Sequence, residues 1–194
     1  MKSYITQQIR ESAQIQTLML KDESLQDRLA AAAQACVDSL RAGGKIMLAG
    51  NGGSAADSQH IAGELVSRFA YDRPGLASVA LTTDTSILTA IGNDYGYERL
   101  FARQLQALGA KGDVFIAYST SGSSPNIVLA LQQAREQGLV TVGMTGNRRG
   151  TMTAWCDHLL EVPSSDTPKI QEGHLVLGHT LCGLIEQAMF PRSA

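Results

Sequence analysis

The chain is short of cysteine, of excess charge and of long apolar runs, and each shortage narrows its class. Its three cysteines, Cys36, Cys156 and Cys182, are odd in number and scattered, with no C-x-x-C pair. That usage points to buried free thiols in a reducing cytoplasm and away from a disulfide framework. Formal charge is −2 and pI about 6.1, so no basic face points to nucleic acid. Apolar residues make up 44%, yet no run approaches the roughly 18–20 uninterrupted apolar residues of a membrane span. The N-terminus MKSYITQQIRESAQ lacks the apolar core of a secretory signal. Repeats, low-complexity tracts and linkers are missing too. The 194 residues then suit a single cytoplasmic α/β domain with a substantial core, bound to neither membrane nor nucleic acid.

Residues 1–44 read as two helices, a short one carrying Ile5, Ile9 and Ala13, and a clearer one carrying Leu25, Leu29, Ala32, Cys36 and Leu40. Ser24 is the expected N-cap of the second, with Asp27 three residues on, and Gly43-Gly44 its end. The short first helix must bury its stripe against something, and a neighbouring subunit is the favoured partner. From Lys45 onward, apolar runs at 46–49, 78–81, 114–118, 140–144 and 159–162 alternate with helical stretches at 54–69, 85–92, 97–108, 125–137, 150–156 and 168–189. Runs that are apolar throughout suit strands buried on both faces of a parallel sheet. The pattern predicts a three-layer α/β/α domain over 45–194, with a five-stranded parallel sheet in the flavodoxin-like order 2-1-3-4-5 and a helical N-terminal extension over 1–44.

Gly50-Asn51-Gly52-Gly53-Ser54-Ala55 matches a dinucleotide fingerprint after a strand. Such a site needs an acid about 20 residues on to hold the ribose. Here the first acid after the second strand is Asp84, 34 residues beyond Gly50, which argues against a nicotinamide. A phosphate cradle fits better. The third strand runs into Ser119-Thr120-Ser121-Gly122-Ser123-Ser124 and then Pro125, placed for the first turn of a helix. Hydroxyls and successive N–H groups at a helix N-terminus favour an anion. In a 2-1-3-4-5 sheet the loops after strands one and three face each other across the ligand crevice.

His60 and Glu64 stand four apart on the helix after the glycine loop and so share a face. The closing helix places Gln171, His174 and His179 among Leu175, Val176, Leu177 and Leu181. Buried polar side chains need partners. Imidazole, carboxylate and one further N or O donor form an ordinary zinc shell. Spacing alone does not put Gln171 and His179 on one ion, since eight helical residues span about 12 Å. His158 reads as a surface or capping residue at the start of the fifth strand, His174 as structural, and Trp155 has no partner motif. The turn Asp72-Arg73-Pro74-Gly75 precedes the second strand, with Arg68 or Arg73 able to approach an anionic sugar from a neighbour.

AGNGGSAADSQHIAGELVSRF, LTAIGNDYGYERLFARQ, STSGSSPNI and PKIQEGHLVLGH together resemble the phosphoheptose isomerases of the sugar-isomerase (SIS) family, over nearly the whole chain. The resemblance implies substrate contacts at Asn51, Gly52, Gly53, Glu64, Asn93, Asp94, Ser119, Thr120, Ser121, Ser124 and Gln171. It implies one zinc ion per subunit, held by His60, Glu64, Gln171 and His179, with Glu64 the catalytic base and His179 the acid. It further implies a homotetramer that converts sedoheptulose 7-phosphate to D-glycero-D-manno-heptose 7-phosphate, the first step toward ADP-heptose for the lipopolysaccharide core. Ser123 departs from the asparagine expected there, which touches one loop contact. A rival from another class is the DnaA-initiator-associating replication regulator of the same fold. It has no need of a carboxylate at 64 or an imidazole at 179, and this chain has both.

Overall fold

Strand β1, Ile46–Ala49, is buried at every position, and so is β3, Val114–Tyr118. Side chains alternate across a strand, so each strand feeds two cores. Ile46, Leu48, Val114, Ile116 and Tyr118 belong to one apolar cluster, and Met47, Ala49, Phe115 and Ala117 to a second. The computed structural model describes residues 1–148 and 150–192. The bound at 194 expected for the second unit lies outside the described residues.

With β2 (Ser78–Ala80), β4 (Val140–Gly146) and β5 (His158–Val162), these strands form a five-stranded sheet of order β2-β1-β3-β4-β5. Every pairing is parallel, with Ile46 opposite both Ser78 and Val114, Val114 opposite Val140, and Val142 opposite His158. The expected sheet and its order are therefore found. Lys45 and Asp113 latch the starts of β1 and β3 together. The Lys45 N–H and Nζ both donate to the Asp113 carboxylate, at 2.9 and 2.6 Å. Burial pushes the Asp113 pKa up, but the Lys45 and Ala110 donors outweigh it and hold the group below its usual range.

Helices α1 (Lys2–Lys21), α2 (Glu23–Arg41), α3 (Gly53–Val66) and α7 (Thr167–Met189) serve the first cluster. Helices α4 (Thr85–Tyr95), α5 (Leu100–Leu108) and α6 (Pro125–Glu136) serve the second. Four local expectations are corrected. The α1 helix is not short; it runs 20 residues, of which Met19 alone is buried. The N-cap of α2 is Asp22, whose carboxylate accepts from the Leu25 N–H at 2.9 Å. Ser24 lies inside the helix and accepts from Arg28 instead. The stretches 97–99 and 151–155 are 3-10 turns rather than α-helix.

The second helix of the chain packs through Leu25, Leu29, Ala32, Ala33, Cys36 and Val37 into the same cluster as the sheet. Tyr4, Ile5, Ile9, Leu18 and Leu20 of α1, by contrast, stay exposed.

Candidate functional site

The loops that follow β1 and β3 meet above the adjacent ends of those strands. Asn51 and Asn126 join them by a reciprocal amide pair, Asn51 Nδ2 to Asn126 Oδ1 at 2.9 Å and Asn126 Nδ2 to Asn51 Oδ1 at 2.8 Å. The Tyr97 hydroxyl donates to Asn51 Oδ1 at 3.1 Å. A cleft of about 440 Å³ opens beside this junction, lined by Asn51, Gly96, Tyr97, Ser124 and Asn126 among others.

The hydroxyl loop is wound tightly. Ser119 Oγ lies 2.9 Å from Ser124 Oγ and 3.5 Å from Ser121 Oγ. The Ser123 N–H donates to Ser121 Oγ and the Ser124 N–H to Ser119 Oγ. Gly122 sits at φ +67°, and a Cβ on the facing Gly150 would come within 2.2 Å of the Gly122 carbonyl. The bend needs glycine on both sides. Ser119 is buried while Ser121 is exposed, so the loop presents hydroxyls to solvent at the N-terminus of α6. Orphan N–H groups and the helix dipole favour a phosphate there.

One helical turn of α3 carries His60 and Glu64, with His60 Nε2 3.1 Å from Glu64 Oε1. From α7, His179 Nε2 comes within 3.0 Å of His60 Nε2. The two helices meet this closely because residue 178 is glycine. A Cβ there would lie 2.8 Å from Ile61 Cδ1, beside His60 in sequence. Among the described residues, His60, Glu64 and His179 form the one group whose donor atoms, all within 4.8 Å, could hold a metal. Donor separations of 3.0 and 3.1 Å are near the edge of a tetrahedron, about 3.3 Å for bonds of about 2 Å. The donor chemistry and its spacing fit zinc.

Gln171 lies at the opposite end of α3, its amide packed where a Cβ on Gly53 would approach Nε2 to 2.7 Å. The structure thus brings Gln171 to the glycine loop and the other three expected ligands to one another. Gly52, at φ +56°, caps the start of α3. Thr120 is half-buried, its carbonyl accepting from the Gly146 N–H. Asn93 and Asp94 are exposed near the end of α4 and bonded to each other at 2.7 Å.

His174 faces the opposite way, into the core. Its ring is fully buried, edge-on to Tyr118 at 5.7 Å, and neither ring nitrogen has a hydrogen-bond partner. Burial pushes its pKa down to about 4, with the Thr145 backbone opposing. Asp57, one turn before His60, is pushed above its usual range by burial, with the His60 charge opposing. Arg73 does not reach outward as the turn suggested. Its side chain is 1% exposed and paired to Glu186 at 3.1 Å, because the turn folds beneath α7. Sequence reading also missed Asn126 and Tyr97. SSPN hinted at Asn126 as a helix-start residue, but nothing in the sequence ties it to Asn51.

Comparison with known proteins bears on the whole chain and its fold. The SIS-domain family profile matches residues 10–146. A phosphoheptose isomerase of Burkholderia pseudomallei is 65% identical over 97% of this chain and 95% of its own. One from Aneurinibacillus thermoaerophilus is 56% identical over 98% and 96%. The solved structure of the phosphoheptose isomerase of Neisseria gonorrhoeae superposes with a TM-score of 0.90 at 40% identity, covering 96% of this chain and 98% of that one.

Proposed function

The chain belongs to the SIS-domain family and, within it, to the phosphoheptose isomerases; from that premise we propose that it interconverts sedoheptulose 7-phosphate and D-glycero-D-manno-heptose 7-phosphate. The observation that carries the reading is the meeting of His60, Glu64 and His179 in a chain that also winds a loop of serine hydroxyls at a helix N-terminus. Such a product would serve ADP-heptose synthesis for the lipopolysaccharide core.

The chemistry moves one proton between adjacent carbons and needs a base at carbon and an acid at oxygen. Glu64 takes a proton from C1 of the ketose while His179 protonates the C2 oxygen, leaving a cis-enediol. Transfer of the O1 proton back to His179 and return of the carbon proton from Glu64 to C2 then give the aldose and restore both groups. Glu64 and His179 reach the same point from different helices, as neighbours of His60. Ser119, Thr120, Ser121 and Ser124 would hold the C7 phosphate, and Asn51, Gly52, Gly53, Asn93 and Asp94 the sugar hydroxyls. His60, Glu64 and His179 would hold one zinc ion per subunit, while Gln171, expected as a fourth ligand, faces the glycine loop at the other end of α3. When bound, zinc supplies Lewis-acid stabilisation of developing negative charge on oxygen.

The exposed apolar side chains of Tyr4, Ile5, Ile9, Leu18 and Leu20 on α1 support assembly as a homotetramer, since such side chains are stabilised by burial against a partner. No described helix is long and apolar enough to cross a membrane, and three free cysteines suit a reducing cytoplasm. The test is to supply purified protein with zinc and sedoheptulose 7-phosphate and follow the aldose by NMR. Aldose that disappears with a chelator and returns with zinc is expected. No aldose with zinc present, together with binding to the replication initiator DnaA, would replace the enzyme with the regulator.

A further inference from the structure

Arg73 and Glu186 are 113 residues apart, yet each side chain is 1% exposed and their Nε and Oε1 atoms lie 3.1 Å apart. Neither can touch a substrate. Apart from a bond from Arg73 Nη1 to the adjacent Pro74 carbonyl, their remaining side-chain bonds run to the end of α3 and the loop that leaves it. Arg73 Nη2 donates to the Glu64 carbonyl at 2.8 Å, and Nη1 to the Leu65 and Ser67 carbonyls at 2.6 and 3.2 Å. These carbonyls belong to the last turn of α3, where no intrahelical N–H remains to meet them. A cation at that end also complements the helix dipole.

Glu186 closes the arrangement from the other side. Its oxygens accept from the Phe69 and Ala70 N–H groups at 2.9 and 2.8 Å. Phe69 in turn lays its ring 5.6 Å from the His179 imidazole. His179 and Glu186 are seven residues apart on α7, about two turns, and so share a face. Burial pushes the Glu186 pKa up, but the two N–H donors and Arg73 overcome it and keep the group below its usual range. A buried ion pair rarely adds net stability over an apolar replacement. Stability alone therefore does not explain why charge is kept here.

We infer that Arg73 and Glu186 are positioning residues, a clasp that fixes the last turn of α3 and the Phe69 ring so that Glu64 and His179 keep their mutual distance. The inference rests on the isomerase reading for its effect on turnover, and on geometry alone for its effect on the histidines.

The test compares Glu186→Gln and Arg73→Lys with Leu131→Ala, which destabilises the opposite layer. Second-sphere support of this kind carries about 10–100-fold in metal affinity or activity. Both clasp variants are expected to lose roughly that factor in kcat and in zinc affinity, measured by chelator competition, with KM within about twofold. Leu131→Ala lowers the unfolding temperature and leaves all three unchanged. Should Glu186→Gln fail to fold, Arg73→Lys, which keeps the charge and loses the fork, gives the same reading. In zinc-free protein the imidazole NMR signals of His60 and His179 shift in the clasp variants and not in Leu131→Ala. Clasp variants with wild-type histidine signals, zinc affinity and kcat would overturn the inference. A wild type without turnover but with clasp-dependent histidine signals would remove the isomerase reading and leave the clasp standing.

Discussion

The layer of α4, α5 and α6 packs Leu100, Phe101, Leu105, Ile127 and Leu131 against Met47 and Phe115, and its buried polar side chains, Gln104 and Asn126, are bonded. Across the sheet, the layer of α2, α3 and α7 buries Lys169, His174 and Glu186 together with Cys36 and Cys182. It leaves Asp57 Oδ2, Tyr118 OH and both nitrogens of His174 without partners. Unmet buried polar atoms cost stability. One layer is thus largely apolar, while the other carries His60, Glu64 and His179 together with several buried polar atoms that lack partners.

The largest effect should separate the layers by chemistry. Glu64→Gln is expected to reduce kcat about 10²–10⁴-fold, the usual share of a general base, and to leave the fold intact because Glu64 is partly exposed. Steady-state kinetics beside a melting curve measures both. The mirror experiment is Leu131→Ala in the apolar layer, where the side chain is fully buried. It should cost about 2–5 kcal/mol in denaturant unfolding with kcat per folded molecule unchanged. Unequal effects in the opposite sense would erase the distinction.

His174 sharpens the comparison through pH. Its folded pKa of about 4 lies below the unfolded value of 6.5, so between these values the unfolded chain binds more protons. Stability is complete above pH 6.5 and falls toward pH 4, by about 3 kcal/mol for such a shift. Urea midpoints from pH 7 to 4 should show this slope in the wild type, and His174→Asn should flatten it. The smallest effect concerns the junction of the two loops. Asn126→Ala leaves the Asn51 amide with Tyr97 as its remaining side-chain partner and should cost about 1–2 kcal/mol, read as a rise in KM with kcat little changed.

Much of the fold was legible because its signals are local. Runs such as IMLA and VFIAY, buried throughout, declare a parallel sheet, and Pro125 after the serines marks a helix start. His60 and Glu64 share a helix face by spacing alone. What stayed hidden depends on contacts remote in sequence. Asn51 with Asn126 and Arg73 with Glu186 are ordinary surface-type residues until the sheet order and the α3–α7 crossing bring them together. His179 shows the intermediate case. Its place in an apolar helix flagged it, but only Gly178, by admitting Ile61, brings it to His60. The Ser24 cap failed for a simpler reason, since Asp22 two residues earlier offers a carboxylate to the same helix end.

The most direct test is to incubate zinc-supplied wild type and Glu64→Gln with sedoheptulose 7-phosphate in D₂O and follow aldose formation and deuterium at C1 and C2 by NMR. The wild type is expected to form aldose, and Glu64→Gln to form none and to leave C1 of the recovered ketose unlabelled. Aldose, or deuterium at C1, appearing with Glu64→Gln at the wild-type rate would place the carbon base elsewhere and contradict the account.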